Sequence, residues 1–242
     1  MFNIFRTDGP AYRVALIIYN LLALNFLWVV FSIPLITIGA STTALFYVTQ
    51  WHPVVIIALS WPIGASTTAL FYVTGKIMRK EEYRIGADFW KSFKDNFLQA
   101  TIIWLILVLM FYLVITNLLA IKPLGMGNFL YYMQYLILFE IVVVGIYIFP
   151  LLSRYHMTII HAFKMALFIG NRHLLTTFFC LMFFPGIYYL LSWRFNLILI
   201  IALFMAAVYA FWVSYFVKDK FQLYVRGDDL IETGEEEETP EE

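Results

Sequence analysis

The fold is decided by a long apolar run, Phe129–Leu152, which reads FLYYMQYLILFEIVVVGIYIFPLL. A helix needs about 20 predominantly apolar residues to cross roughly 30 Å of hydrocarbon. This run exceeds that length and contains a single charged side chain, Glu140. The run therefore predicts a transmembrane helix, and a lipid bilayer favours helices because every backbone polar group must be satisfied within the segment.

The composition of the whole chain also indicates that the protein lies in a lipid bilayer. The 242 residues are 62% hydrophobic and 13% charged, whereas soluble domains contain about 25% charged residues. A soluble globule of this size still needs a polar surface, which so few charged residues do not supply. We therefore expect the lipid bilayer to be the main partner of the chain, and no nucleic-acid partner is expected.

Further apolar runs extend this prediction to an all-α, polytopic transmembrane bundle over residues 1–217. The predicted spans lie near residues 14–36, 53–74, 98–121, 129–152, 174–193 and 195–217. Two of them are interrupted, the second by Pro62 and Gly64 and the fifth by Pro185 and Gly186, so a kink is expected in the fifth. Whether residues 38–74 form one span, a re-entrant hairpin or two spans stays open.

Basic residues give the orientation of this six-span arrangement. Fourteen of the sixteen lysines and arginines fall on one predicted side, and only Lys122 and Arg194 fall on the other. Cytoplasmic loops carry such an excess of basic residues. We therefore predict that the N- and C-termini are both cytoplasmic. Residues 218–242 are too polar to fold alone and are predicted to be an acidic, disordered cytoplasmic tail.

Two segments on the basic side are predicted to be amphipathic helices at the membrane surface. Ile77–Asn96 carries aromatic residues at helical spacing, and Tyr155–Asn171 separates apolar from basic side chains in the same way. Two interpretations stay open, namely plain interfacial packing and a docking surface for a partner. The candidate docking or headgroup contacts are Lys76, Arg79, Lys80, Lys91, Lys94, Arg154, Lys164 and Arg172.

A twelve-residue repeat, IGASTTALFYVT, occurs at Ile38–Thr49 and again at Ile63–Thr74. Inverted-repeat transporters show weak similarity over several spans, whereas this repeat is short, close and identical. It indicates a local duplication without a catalytic purpose. Its small residues permit close helix approach or a helix cap at Ser41 or Thr42.

Glu140 is the sharpest candidate for a functional site. A charged residue at the centre of a membrane helix costs roughly 2.5–3.5 kcal/mol on insertion scales, so its side chain should face protein or water. Two interpretations stay open: a structural clasp to another helix, and a proton, cation or substrate site. The candidate polar partners are Asn20, Asn25, Asn117 and Gln134.

Other chemistry-bearing residues do not form recognisable sites. His156 and His161 are five residues apart, whereas a helical metal pair has a spacing of four. Cys180 is the only cysteine and so has no disulfide or zinc partner within the chain. We therefore predict no metal, no cofactor and no enzymatic activity.

Three stretches together resemble the YesL family of small bacterial integral membrane proteins of unassigned biochemistry. They are NFLWVVFSIPLITIGASTTALFYV (Asn25–Val48), DFWKSFKDNFLQA (Asp88–Ala100) and FPLLSRY (Phe149–Tyr155). The resemblance covers most of residues 1–217, and the second copy of the repeat departs from the family pattern.

This resemblance implies a multi-pass protein of the bacterial cell membrane in a context of carbohydrate utilisation. We therefore expect a non-enzymatic accessory component of carbohydrate uptake, bound to a carbohydrate transporter complex or to further copies of itself. The alternative is a small-solute transporter or channel that uses the intramembrane carboxylate of Glu140.

Overall fold

The computed structural model describes residues 10–32, 60–124, 128–193, 205–218 and 220–221. All regular secondary structure in these ranges is helical, as predicted. The helices are α1 (Pro10–Phe31), α2 (Pro62–Met78), α3 (Ile85–Asp95), α4 (Phe97–Leu124), α5 (Asn128–Leu152), α6 (Ile159–Arg172), α7 (Leu174–Trp193) and α8 (Met205–Lys218).

The described helices agree with a multi-pass membrane protein. Within those residues, Val14–Phe31, Phe97–Ala120 and Phe129–Leu152 are each long and apolar enough to cross a membrane. The bent pair α6–α7 makes a fourth candidate if it is counted as one broken span. The predicted spans near 53–74 and 195–217 lie partly outside the described residues, so the count of six stays a prediction. The acidic tail and the first copy of the repeat also lie almost wholly outside them.

Helix α2 contains the second copy of the repeat and begins at its proline. Pro62 occupies the first turn, where its missing N–H group would have no helical partner in any case. The interruption predicted inside a span is thus the start of a helix. The Ser66 and Ser32 hydroxyls are 2.9 Å apart, and Trp28 Nε1 donates to Thr67 Oγ1 at 3.2 Å. These contacts join α2 to the end of α1.

Small residues of the repeat bring α2 against α4. A Cβ atom added to Gly64 would lie 2.3 Å from the backbone oxygen of Ala100 and 2.7 Å from Trp104 Cβ. The predicted close approach is therefore present at Gly64. The helix cap predicted at Ser41 or Thr42 lies outside the described residues. In the second copy of the repeat, Ser66 Oγ donates to the carbonyl of Ile63 within the helix.

The chain after α2 turns back along the bundle through α3. Phe89 and Phe93 of α3 are buried, and their rings lie 5.5 and 4.8 Å from the ring of Phe31 in α1. The Phe97 ring then meets Trp61, which precedes α2, at 5.3 Å. The aromatic stripe predicted from the sequence is thus present, and much of it packs on protein.

Helix α6 turns back in the same way along α5. Thr158 caps its N-terminus by accepting a hydrogen bond from the His161 N–H group. Its buried face ends at Gly170, where an added Cβ atom would lie 2.2 Å from Val143 Cγ1. The face that packs against α5 consists of Ala162, Met165, Ala166, Ile169 and Gly170, whereas Ile160 and Leu167 of the apolar face predicted from the sequence are exposed.

The chain bends sharply before α7. The axes of α6 and of residues 174–183 in α7 differ by 95° at the break around His173. Pro185, where the sequence predicts a kink, lies inside the assigned range of α7, so that prediction stays untested. Proline is tolerated within membrane helices because neighbouring helices and local backbone adjustments satisfy the backbone groups that it leaves unpaired.

Candidate functional site

Glu140 lies near the middle of α5 and is held by an amide that the sequence analysis did not name. Asn171 Nδ2 donates to Glu140 Oε2 at 2.9 Å. Asn171 belongs to the last turn of α6, immediately before the break that leads into α7. The hydrogen bond therefore joins the centre of α5 to the end of α6. The one feature of the sequence that could indicate this pairing is the polar residue Asn171 itself, which stands immediately before Arg172 and His173.

The four amides predicted to surround Glu140 are dispersed instead. Asn20 Nδ2 donates to the Tyr83 hydroxyl at 2.8 Å, and Asn25 Oδ1 accepts from the backbone N–H of Ala207 at 3.4 Å. Asn117 is exposed and Gln134 is half-buried, and neither bonds to Glu140 among the described contacts. Asn20 and Asn25 thus tie α1 to two other parts of the bundle, and no common polar site forms.

A second polar contact lies close to the same break. The Tyr147 hydroxyl is 2.9 Å from Thr177 Oγ1, which in turn donates to the carbonyl of Gly170 at 2.9 Å. Tyr147 is completely buried. The end of α6, the start of α7 and the last third of α5 therefore meet around Tyr147, a residue that the sequence does not single out.

Several of the predicted docking cations have partners within the chain. Lys76 Nζ lies 3.0 Å from Asp88 Oδ1, and Arg79 Nη2 donates to Glu81 at 3.1 Å. Arg154 donates to the carbonyl of Lys218 at 3.0 Å. The side chains of Lys94 and Arg172 lie over the rings of Trp90 and Phe168. Lys80, Lys91 and Lys164 are exposed. The predicted basic face is therefore divided between internal pairs and exposed cations.

The ion pair between Lys76 and Asp88 shifts the pKa of both side chains. Partial burial acts to raise the pKa of Asp88, but the Arg84 N–H group and the Lys76 ammonium outweigh it, and the pKa falls below its usual value. Burial likewise acts to lower the pKa of Lys76, yet the hydrogen bond to Asp88 leaves it raised. Both shifts favour the charged forms, so the pair stabilises the fold.

This pair predicts a defined pH dependence of stability. A depressed carboxyl pKa contributes stability above about pH 4, which is lost as the pH falls through the folded-state value. A raised ammonium pKa contributes stability below about pH 10.5, which is lost as the pH rises further. We expect Asp88→Asn to lower the free energy of unfolding by about 1 kcal/mol at neutral pH. Thermal melts in detergent between pH 3 and 8 measure this loss.

The matched control is Asp95→Asn, since Asp95 is exposed on the same helix. We expect this variant to melt like the wild type across the whole range. Equal acid sensitivity of the wild type and Asp88→Asn would show that the pair does not contribute.

A cleft of about 620 Å³ opens beside this ion pair. It lies between the end of α2, the following loop and α3. Its lining residues are Lys76, Glu81, Glu82, Tyr83, Arg84, Ala87, Asp88 and Lys91. The volume falls within the range of about 300–1,000 Å³ that is usual for small-molecule sites. The described residues include no group of three or more His, Cys, Asp or Glu side chains that could hold a metal ion.

These features define the class of the protein as an α-helical bundle with several long apolar helices, compatible with a multi-pass membrane protein. Residues 54–118, roughly a quarter of the chain, match a family described as "Protein of unknown function, DUF624". The matched segment contains α2, α3 and most of α4, and so it includes the charged cleft. No curated protein and no solved structure matches the chain.

Proposed function

We propose that this chain is a multi-pass protein of the bacterial cell membrane that acts as a non-enzymatic accessory component of carbohydrate uptake or utilisation. The observation that carries the proposal is the 2.9 Å hydrogen bond from Asn171 to Glu140. Glu140 has a structural partner on the neighbouring helix α6, at a partly exposed contact, so its presence requires no transported ion. A partner-binding role then rests on exposed cations, such as Lys80.

The carbohydrate context rests on the resemblance to the YesL family. The match of residues 54–118 to an uncharacterised family agrees with that resemblance. The excess of basic residues on one predicted side favours six spans with both termini in the cytoplasm. On this arrangement the loops that follow α2 and α5 face the cytoplasm, where the energy-coupling parts of an uptake system operate.

The alternative function is a small-solute transporter or channel. It is favoured by the 95° break between α6 and α7, because transporters place substrate sites at interrupted membrane helices. Glu140 and Asn171 meet beside this break. In this alternative the carboxylate would exchange a proton or cation, and the hydrogen bond to Asn171 would be one state of the cycle.

Two substitutions at Glu140 separate these functions. Glu140→Gln keeps a side-chain oxygen that accepts from Asn171, whereas Glu140→Leu removes it. For a clasp we expect Glu140→Gln to melt like the wild type and Glu140→Leu to lose about 0.5–1.5 kcal/mol, the usual range for hydrogen bonds between membrane helices. The melts are measured on purified protein in detergent.

Sugar uptake in cells that carry each variant supplies the functional readout. For the accessory protein, deletion of the gene should lower uptake, and Glu140→Gln should restore it fully. A tenfold or greater loss of uptake with a normally folded Glu140→Gln protein would favour the transporter instead. Copurification from native membranes without any component of a transport system would count against the accessory role.

A further inference from the structure

The charged cleft beside α3 has a regular construction. Arg84, Ala87, Asp88 and Lys91 all line it, at positions i, i+3, i+4 and i+7. Arg84 is the extended residue immediately before α3, and the other three positions share one face of that helix. Arg84 and this face of α3 therefore line the cleft, while Phe89 and Phe93 are buried on another face.

The charges of the cleft separate into paired and unpaired groups. Lys76 is bound to Asp88, and Glu81 is bound to Arg79. The side chains of Glu82, Arg84 and Lys91 are exposed, and none of them has an ionic partner among the described residues. The unpaired set therefore consists of two cations and one carboxylate.

The buried side-chain amide of Asn20 contacts Tyr83, a residue that lines this cleft. Asn20 is only 4% exposed, and its Nδ2 group donates to the hydroxyl of Tyr83, which lines the cleft. Because Tyr83 accepts this bond, its own proton is available to another acceptor. Asn20 is buried and does not itself line the cleft, so this pair offers the cleft only the hydroxyl donor of Tyr83.

We infer that the cleft binds a phosphate ester that carries a primary ammonium group, the chemistry of phosphoethanolamine. The phosphate binds Arg84 and Lys91 and accepts the proton of Tyr83. The ammonium group binds Glu82. Asn20 is a positioning residue, since it orients the Tyr83 hydroxyl from behind.

The arrangement of charges disfavours the nearest alternatives. A ligand with only negative charges would be repelled by the carboxylate of Glu82, because such a ligand carries no cationic group that could pair with it. A phosphocholine group has the correct charges, but its quaternary ammonium has no N–H group to donate to a carboxylate. The cleft should therefore prefer primary amines over quaternary ones. This binding site is distinct from Glu140 and does not depend on the role in carbohydrate uptake.

The test uses the purified full chain in detergent and isothermal titration calorimetry with soluble probes. We expect glycerophosphoethanolamine to bind at least fivefold more tightly than glycerophosphocholine or glycerol phosphate. The Arg84→Gln/Lys91→Gln double variant should weaken binding at least tenfold, because it removes two charge-assisted contacts to phosphate. Glu82→Gln should abolish the preference for the primary amine.

Lys164→Gln is the matched control, because Lys164 is an exposed cation on α6 and does not line the cleft. It should bind like the wild type. Native mass spectrometry of the chain with added phosphatidylethanolamine or phosphatidylcholine distinguishes a lipid headgroup from a free phosphate ester. Binding of the lipid alone, or of the soluble ester as well, supports the inference and identifies the source.

Two results would overturn this inference. One is equal binding of the ethanolamine and choline probes by the wild type. The other is no binding of either the soluble ester or the lipid by a chain that melts normally. Because sugar uptake is not a readout here, either result would leave the proposed accessory function untouched.

Discussion

Gly64→Ala should be among the most damaging single substitutions in the chain. The added methyl group would lie 2.3 Å from the carbonyl oxygen of Ala100 and 2.7 Å from Trp104 Cβ. A backbone oxygen has no rotamer through which to move away, so α2 and α4 must separate. Overpacking of this kind lowers the free energy of unfolding by about 1–3 kcal/mol. The higher helix propensity of alanine offsets less than about 1 kcal/mol of this loss. We expect a net loss of about 2 kcal/mol in thermal melts in detergent.

The same substitution elsewhere in the chain provides the control for this experiment. Gly145 lies in α5, and a Cβ atom added there meets nothing within 4 Å. Gly145→Ala should therefore be neutral or stabilising by up to about 1 kcal/mol. If both variants melted alike, the close approach of α2 and α4 at Gly64 would not exist in the folded protein.

The helical class of the fold can be predicted from the sequence because the length of an apolar run is a local property of the chain. The runs at 98–121 and 129–152 lie inside α4 and α5, and the run at 174–193 coincides with α7. Pro62 shows the limit of this argument. The same residue is compatible with a break inside a span and with the first turn of a helix, and only its neighbours decide between them.

The aromatic stripe of α3 was also predictable, but its surroundings were not. Helical spacing reveals which side chains share a face, whereas lipid and protein are equally apolar neighbours for that face. Phe31 is more than fifty residues away from Phe89 and packs against it. Nothing in the local pattern distinguishes this contact from burial in the membrane.

The polar partners were the least predictable part of the candidate site. Glu140 was conspicuous because an acid within an apolar run is rare. Its partner Asn171 lies in a segment whose amphipathic pattern predicts a helix at the membrane surface, so the sequence does not place this amide within the membrane. Likewise, Asn20 and Tyr83 are 63 positions apart. Such pairs depend on how the helices turn back, which periodicity does not specify.

Removal of the Tyr147 ring should have an effect as large as that of the glycine substitution. This residue is completely buried, and its hydroxyl lies 2.9 Å from Thr177 Oγ1, where α5, α6 and α7 meet. Replacing a buried aromatic residue by alanine costs about 3–5 kcal/mol in soluble proteins, part of which is the transfer of the side chain into water. The transfer part is smaller in a bilayer, so we expect Tyr147→Ala to lose roughly 2–3 kcal/mol from the lost packing.

Two further variants divide this loss into its parts. Tyr147→Phe keeps the ring and removes only the hydroxyl, so it should cost about 1 kcal/mol. Tyr132→Ala removes a tyrosine of the same helix that is 66% exposed, and its melting temperature should change little. Thermal melts of the three proteins in one detergent make the comparison. If Tyr132→Ala were as destabilising as Tyr147→Ala, the junction around Tyr147 would not be the centre of packing between α5 and the broken helix. A large loss in Tyr147→Ala, a smaller one in Tyr147→Phe and none in Tyr132→Ala would instead show that both the ring and the hydroxyl of Tyr147 hold the helices at the 95° break.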